Sequence, residues 1–251
     1  MAFVTRDGAT IHYEIVGGSG DSVVLMHGLF SDSREWVRRG VTEILGEGFA
    51  FVLIDAIGHG NSDKPHERER YGLEARARDI VAVLDDAGIE RAHAAGYSMG
   101  GWTACGLAAV APERFRSLVL GGWDPVGGIE RFLHRALEQS GIAMTYERLV
   151  SIVSADPDLA ANIASGDDEA FRCAYDVLGD FTDAEATLTR TALPLLFYCG
   201  DQDPYFEPTR AAASRIPGAE FATVPGADHV AVPRRVDAVG PVVRSFLERV
   251  G

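Results

Sequence analysis

The sequence predicts an α/β fold: a mostly parallel, eight-stranded sheet flanked by helices, with a helical segment inserted. Three observations carry this. Short, continuous apolar runs alternate with longer helix-like stretches, as in strands buried on both faces of a parallel sheet. An "RDGA" turn joins the first two runs into an antiparallel hairpin. Between 124 and 190 the alternation stops and no strand pattern occurs.

The runs expected as strands are 2–5, 10–16, 22–27, 49–55, 91–97, 117–123, 193–200 and 220–225. Between them, "SREWVRRGVTEILGEG" (33–48) reads as one helix with a serine at its start and glycines at its end. "GLEARARDIVAVLDDAG" (72–88) has Ile80, Val81, Val83 and Leu84 on an apolar face and Gly88 as its stop. "MGGWTACGLAAVAP" (99–112) is built mostly of small residues, so a helix there can lie close to a sheet. The closing helix, 233–250, contains Pro241, a kink or break point. Repeated strand–helix–strand units imply right-handed crossovers. Residues 1–123 and 191–251 thus read as the core. Residues 124–190 read as an insertion with helices in "IERFLHRALEQS", "YERLVSIVS" and "DDEAFRCAYDVL".

Composition narrows the function classes. Net charge is −14, from 37 acidic against 23 basic residues, which disfavours nucleic acid and anionic membranes as partners. No apolar stretch reaches membrane-spanning length and no leader pattern opens the chain, so a cytoplasmic protein is expected. Cys105, Cys173 and Cys199 are far apart, lack metal-ligand spacing, and read as reduced, buried thiols. Residues 154–185 carry nine acids against Arg172 and read as a solvated face, with a bias against strongly anionic substrates as the sharper alternative.

"GYSMG" places Ser98 between Gly96 and Gly100, after a strand and before a helix. A serine at so sharp a turn is held in an uncommon backbone conformation, and its neighbours two residues away must lack bulk. The turn presents the hydroxyl above the sheet. It also aims the first amides of the helix, Met99 foremost, at one point where an oxyanion can form.

Serine needs a base, and the base an orienting carboxylate. Of seven histidines, His229 is best placed, on a loop after the last strand and before the last helix. His12, His27, His66, His93 and His134 read as structural or surface residues. Asp203, in the loop after the strand at 193–200, is the preferred acid. Asp201 and Asp124 are alternatives, and Asp228 adjoins His229 but points elsewhere. "HGLF" (27–30) follows a buried strand, where Gly28 allows a turn and the Leu29 amide supplies a second oxyanion donor. Phe30, Trp102, Trp123, Phe132, Phe171, Tyr175 and Phe206 are candidates to line an apolar pocket. Neither metal nor cofactor is called for, and the expected partner is a small-molecule substrate.

Together these pieces resemble the α/β-hydrolase fold superfamily, in its small, lid-bearing, serine esterase-like branch. The order Ser98, Asp203, His229 matches the family's nucleophile–acid–histidine order. "DAIGHGNSDKP" (55–65) resembles its Gly-rich segment, with Ile57 where arginine is usual, and "GADHV" departs mildly from the commoner form. The resemblance makes 124–190 a cap. It implies a carboxylesterase acting on a small, largely apolar ester. Carbon–carbon bond hydrolase, lactonase, perhydrolase or low-turnover ligand sensor remain open on the same triad. Serine at the nucleophile position argues against the dehalogenases and epoxide hydrolases, which place aspartate there. Trp102 stands where some relatives hold carboxylates with arginine, which points to a less charged ligand.

Overall fold

The computed structural model describes residues 1–180 and 184–251, apart from side-chain surroundings at positions 135, 136, 139, 140 and 179. Its strands are β1 (Ala2–Arg6), β2 (Ala9–Gly17), β3 (Asp21–Met26), β4 (Phe49–Ile54), β5 (Ala92–Tyr97), β6 (Phe115–Gly121), β7 (Leu195–Gly200) and β8 (Glu220–Val224). They form one sheet in the order β1-β2-β4-β3-β5-β6-β7-β8. β2 is antiparallel to β1 and to β4, and all other pairs are parallel. The expected eight strands are therefore present, each within two residues of its predicted ends.

The helices are α1 (Glu35–Arg38), α2 (Val41–Leu45), α3 (Leu73–Asp86), α4 (Met99–Val110), α5 (Gly128–Ser140), α6 (Tyr146–Val153), α7 (Pro157–Ser165), α8 (Asp168–Asp176), α9 (Ala184–Arg190), α10 (Phe206–Arg215) and α11 (Val236–Val250). Side chains alternate across the sheet with period two. Val24, Met26, Ala94, Leu118 and Phe197 face α3 and α4, whereas Val23, Leu25, Ala95, Val119 and Leu196 face α2 and α11. Both faces are buried, which is why the strand sequences read as unbroken apolar runs.

The chain proceeds from β3 to β4 on one side and returns to β5 on the other, so β3 and β5 are neighbours. Their parallel register pairs Met26 with Gly96, which sets the loops after them side by side. Such a reversal of strand order is where open α/β sheets make their crevice. The turns after β6, β7 and β8 open on the same edge.

Four expectations need correction. The single helix over 33–48 is two short ones, because Gly40 takes a left-handed φ of 74° between them. Pro241 neither breaks nor ends α11, which is continuous through it. Pro241 is exposed, as is Asp237, so water can satisfy the carbonyl that loses its partner. Of the cysteines, Cys105 and Cys199 are buried but Cys173 is partly exposed. In the acidic run, Asp156 is buried as the N-cap of α7, where Pro157 opens the helix, a segment whose pattern predicts none. Asp183 lies outside the described residues. Among those residues no helix is long and apolar enough to cross a membrane.

The β5–α4 turn has no room for side chains. A Cβ on Gly96 would fall 2.2 Å from the Gly100 carbonyl oxygen, and one on Gly100 2.0 Å from that of Met26. Both obstacles are backbone, so neither can swing aside. Gly100→Ala is expected to cost about 3 kcal/mol or more. Gly48→Ala, where no atom lies within 4 Å of the added carbon, should stay within about 1 kcal/mol of the parent. Urea denaturation of the two variants checks the contrast.

Candidate active site

Ser98 closes β5 and opens α4. Its amide donates to the Gly121 carbonyl at 2.8 Å, the last bond to β6, and its own carbonyl accepts from the Trp102 amide at 2.9 Å, the first bond of the helix. Between those two anchors its φ is 55° and ψ −114°, a conformation costing about 1–3 kcal/mol for a non-glycine residue. The surrounding backbone holds it there.

His229 lies beyond β8 with Nε2 2.9 Å from Ser98 Oγ and Nδ1 2.7 Å from Asp203 Oδ2. An ionised carboxylate only accepts, so Nδ1 carries the proton and Nε2 offers its lone pair to the serine hydroxyl. Asp203 is buried, and its other oxygen accepts the Tyr205 amide at 2.9 Å. The alternative acids are engaged elsewhere. Asp201 accepts the Gly226 amide at 2.8 Å and ties the β7 loop to the β8 loop. Asp124 is buried, accepts the Val126 amide and pairs with Arg131 at 2.9 Å. Asp228 turns into its own loop, accepting the Val230 and Ala231 amides. Tyr97, which the sequence reading passed over, donates its hydroxyl to the His229 carbonyl at 2.7 Å.

The loop after β3 faces this dyad. Gly28 sits opposite the serine, 3.6 Å separating a Cβ placed there from Ser98 Cβ. Met99 is the first residue of α4, so its amide is among those a helix leaves unpaired. Leu29 lines the same cavity as Ser98. Phe30 takes a positive φ of 66°. Its amide donates to His59 Nε2 at 3.3 Å, while His59 Nδ1 donates to the Ile57 carbonyl. Burial and nearby cations hold His59 well below its ordinary pKa, so it stays neutral and can accept. From the other side, His27 takes the Ala56 amide on Nε2 and meets the Gly28 carbonyl with Nδ1. Asp55 ties the Gly-rich segment to this loop through the Ser33 and Asn61 amides, both at 2.8 Å. Ile57, in the place of the expected arginine, packs in the core.

A cavity of about 110 Å³ opens on Ser98 and His229. Phe30, Trp123, Phe132 and Tyr175 line it, together with Met144 and Leu149. Trp102, Phe171 and Phe206 do not, which corrects the expected pocket. Trp102 is buried on α4 against Trp123, ring centroids 6.3 Å apart. Phe171 supports Phe30 and His59 from behind, and Phe206 packs on Phe221. Trp102 and Phe171 are thus one layer removed from the wall. Glu35, Arg39 and Asp156 also reach the cavity. No local pattern marks them, because charged residues on a helix read as its solvated face. Among the described residues, no group of three or more histidine, cysteine or acidic side chains is arranged to hold a metal.

The family model for the alpha/beta hydrolase fold matches residues 21–131, which carry the loops after β3, β4 and β5. A hydrolase structure from Pseudomonas aeruginosa superposes with a TM-score of 0.82 at 25% identity, covering 98% of this chain and 97% of that one. The chain has the alpha/beta hydrolase fold. Its curated relatives include a 2-hydroxy-6-oxononadienedioate/2-hydroxy-6-oxononatrienedioate hydrolase from Paraburkholderia phymatum, 37% identical over 126 residues, 49% of this chain and 43% of the relative. A putative carbamate hydrolase from Azorhizobium caulinodans is 35% identical over 139 residues, 55% of this chain and 49% of the relative. The matches thus span about half the length of these relatives.

Electrostatics separates the candidate base from the buried His59 and His93, whose pKa values are lowered. Burial pulls the His229 imidazole down, but the Asp203 charge and hydrogen bond, with Asp228 further off, more than reverse it, and the pKa is raised. For Asp203, burial pushes up, and His229 and the Tyr205 amide outweigh it, so its pKa is lowered. The signs fix the pH window. The stabilisation from His229 is full below its unfolded pKa of about 6.5 and fades as pH rises through the folded value. That from Asp203 is present above about 3.9 and is lost as pH falls through its lowered value. Histidine NMR is expected to show His229 titrating above 6.5. Asp203→Asn should move that midpoint down, since it keeps the burial and removes the charge. A midpoint unmoved by the substitution contradicts this account.

Proposed function

We propose that this chain is a serine hydrolase that cleaves a small, largely apolar carboxylic ester through an acyl-enzyme. The observation that carries the reading is the continuous chain of contacts from Ser98 Oγ through His229 to Asp203, 2.9 Å and then 2.7 Å. His229 Nε2 takes the hydroxyl proton as Ser98 attacks the acyl carbon. The Met99 and Leu29 amides receive the oxyanion, each such donor being worth roughly 100- to 1,000-fold in kcat. His229 then protonates the leaving alcohol, and a water repeats the cycle to release the acid. Asp203 holds the imidazole in the productive tautomer and stabilises its protonated form. The apolar lining favours an uncharged acyl or alkyl group beside the scissile bond. In this reading residues 1–123 and 191–251 are the catalytic core, and 124–190 are a cap that shields the acyl-enzyme from bulk water.

A second reading has a specific observation behind it. The Paraburkholderia phymatum relative is named for an oxo-dioate, which is not an ester. The same serine and histidine then serve cleavage of a bond next to a ketone, and substrate profiling separates the two.

The decisive experiment combines turnover with labelling. The purified chain is expected to hydrolyse short neutral aryl esters, and Ser98→Ala to lower kcat by roughly 10⁴-fold or more. A fluorophosphonate should mark Ser98 in the parent and not in His229→Ala, as read by peptide mass mapping. Modification at another residue, or aryl-ester rates equal in parent and Ser98→Ala, removes the reading. The rate should rise with pH along a limb centred above 6.5, because only neutral His229 can accept the proton.

A further inference from the structure

We infer that Arg39 forms a carboxylate-binding subsite in the catalytic cavity, so that the preferred substrate is an ester carrying one carboxylate away from the scissile bond. This deepens the serine hydrolase reading and rests on it. Arg39 follows α1 and lines the same cavity as Ser98 and His229. Its side chain is only 10% exposed, yet it is poorly partnered. The nearest acceptors are Asp156 Oδ2, 3.4 Å from Nη2, and Glu35 Oε2, 3.6 Å from Nε. Nε and Nη1 make no hydrogen bond among the described residues. Other arginines of this chain close on their carboxylates at normal distances, 2.6 Å for Arg215 with Glu185 and 2.9 Å for Arg131 with Asp124.

The neighbouring acids are not free to do better. Asp156 Oδ2 is held by Arg234 at 2.6 Å, and Oδ1 accepts the Asp158 and Leu159 amides. Burial pushes the Glu35 carboxyl up, against the pull of His27 and Arg39, which weakens it as a counter-ion. Asp158 is 4.0 Å away and half exposed, so water screens it. Arg39 and Arg234 thus share the buried Asp156 carboxylate, and Nε and Nη1 of Arg39 are left without a hydrogen bond among the described residues. A buried guanidinium without a full partner is costly, and its planar fork matches a carboxylate in two parallel hydrogen bonds. The nearby wall is Leu149, Val153 and Leu159, so the lining offers the ligand an apolar spacer between its two polar ends. The absence of arginine at Trp102 therefore does not exclude an acidic substrate, because the cation is supplied from the α1 side instead.

The test compares monomethyl succinate, glutarate and adipate with their neutral amide analogues. At least one acid is expected to exceed its amide in kcat/KM by about tenfold or more. Arg39→Met should bring that ratio to about one, mainly through KM, and Arg39→Gln, which keeps polarity without charge, should do the same. Calorimetry on Ser98→Ala reads binding apart from turnover, with the acid expected to bind about tenfold tighter than the amide. Equal binding or equal turnover of acid and amide throughout the series overturns the subsite, even if neutral aryl esters are cleaved normally. So does an Arg39→Met variant that slows both substrates alike, which would make Arg39 only a strut between cap and core. Conversely, selective binding of the acid by Ser98→Ala, with no ester hydrolysed by the parent, supports the subsite while removing the esterase reading.

Discussion

The close approach of three backbone segments, at Gly96, Gly100 and Met26, is the constraint on which the site depends. No methyl group fits between them, so the chain must turn from strand to helix within the one residue that separates the two anchoring hydrogen bonds of Ser98. The strain in Ser98 is the consequence, and it is distributed. β6 supplies the acceptor at Gly121, and β3 supplies the wall behind Gly100. Because β3 is also the strand that runs into Gly28, the same contact sets the distance between the hydroxyl and the amides that face it. In the proposed mechanism this rigidity has a chemical purpose, since donors aimed before the reaction need no reorganisation during it.

A second opposition decides which histidine can act. His59 and His93 are buried without an ionised carboxylate on the ring, and both are driven down, His93 to about 4. His229 meets the same burial but faces Asp203 at 2.7 Å, and its pKa moves the other way. His59, held neutral, serves as a fixed donor and acceptor. His27 and His59 together clamp the loop that carries Leu29. The buried carboxylate of Asp203 is what sets His229 apart from His59 and His93.

Much of this was legible from local signals. Unbroken apolar runs marked the strands, because both faces of the sheet are covered. Gly96 and Gly100 marked the turn, because a steric demand at fixed spacing leaves a trace in any single sequence. Placing Asp203 and His229 required only that loops after successive parallel strands share an edge. The pocket was not legible to the same degree. Periodicity says that Trp102, Phe171 and Phe206 are buried, but not whether the layer they join is the cavity wall or the one behind it. Gly40 splits what looked like a single helix, and Glu35 and Arg39 on the near side of that break line the cavity. Asp156 lay in a run that composition reads as solvent-facing, and only the packing of α7 against the core shows it enclosed.

The misreadings share one origin, and it bears on what the fold can vary. The turn around Ser98, the Asp203 loop and the His229 loop are built on strand ends and backbone contacts, which allow few alternatives. Glu35 opens and Arg39 caps the short helix after the β3 loop, and Asp156 stands between α6 and α7. Nothing in the sheet fixes their identity, so the charged end of the cavity can change without disturbing the serine. Two relatives that are 37% and 35% identical to this chain over about half their own length carry names with different substrates, as expected if chemistry is set by the sheet edge and selection by the loops and inserted helices around it. Residue identity there, at Arg39 above all, therefore says more about the substrate than further agreement at Ser98, Asp203 and His229.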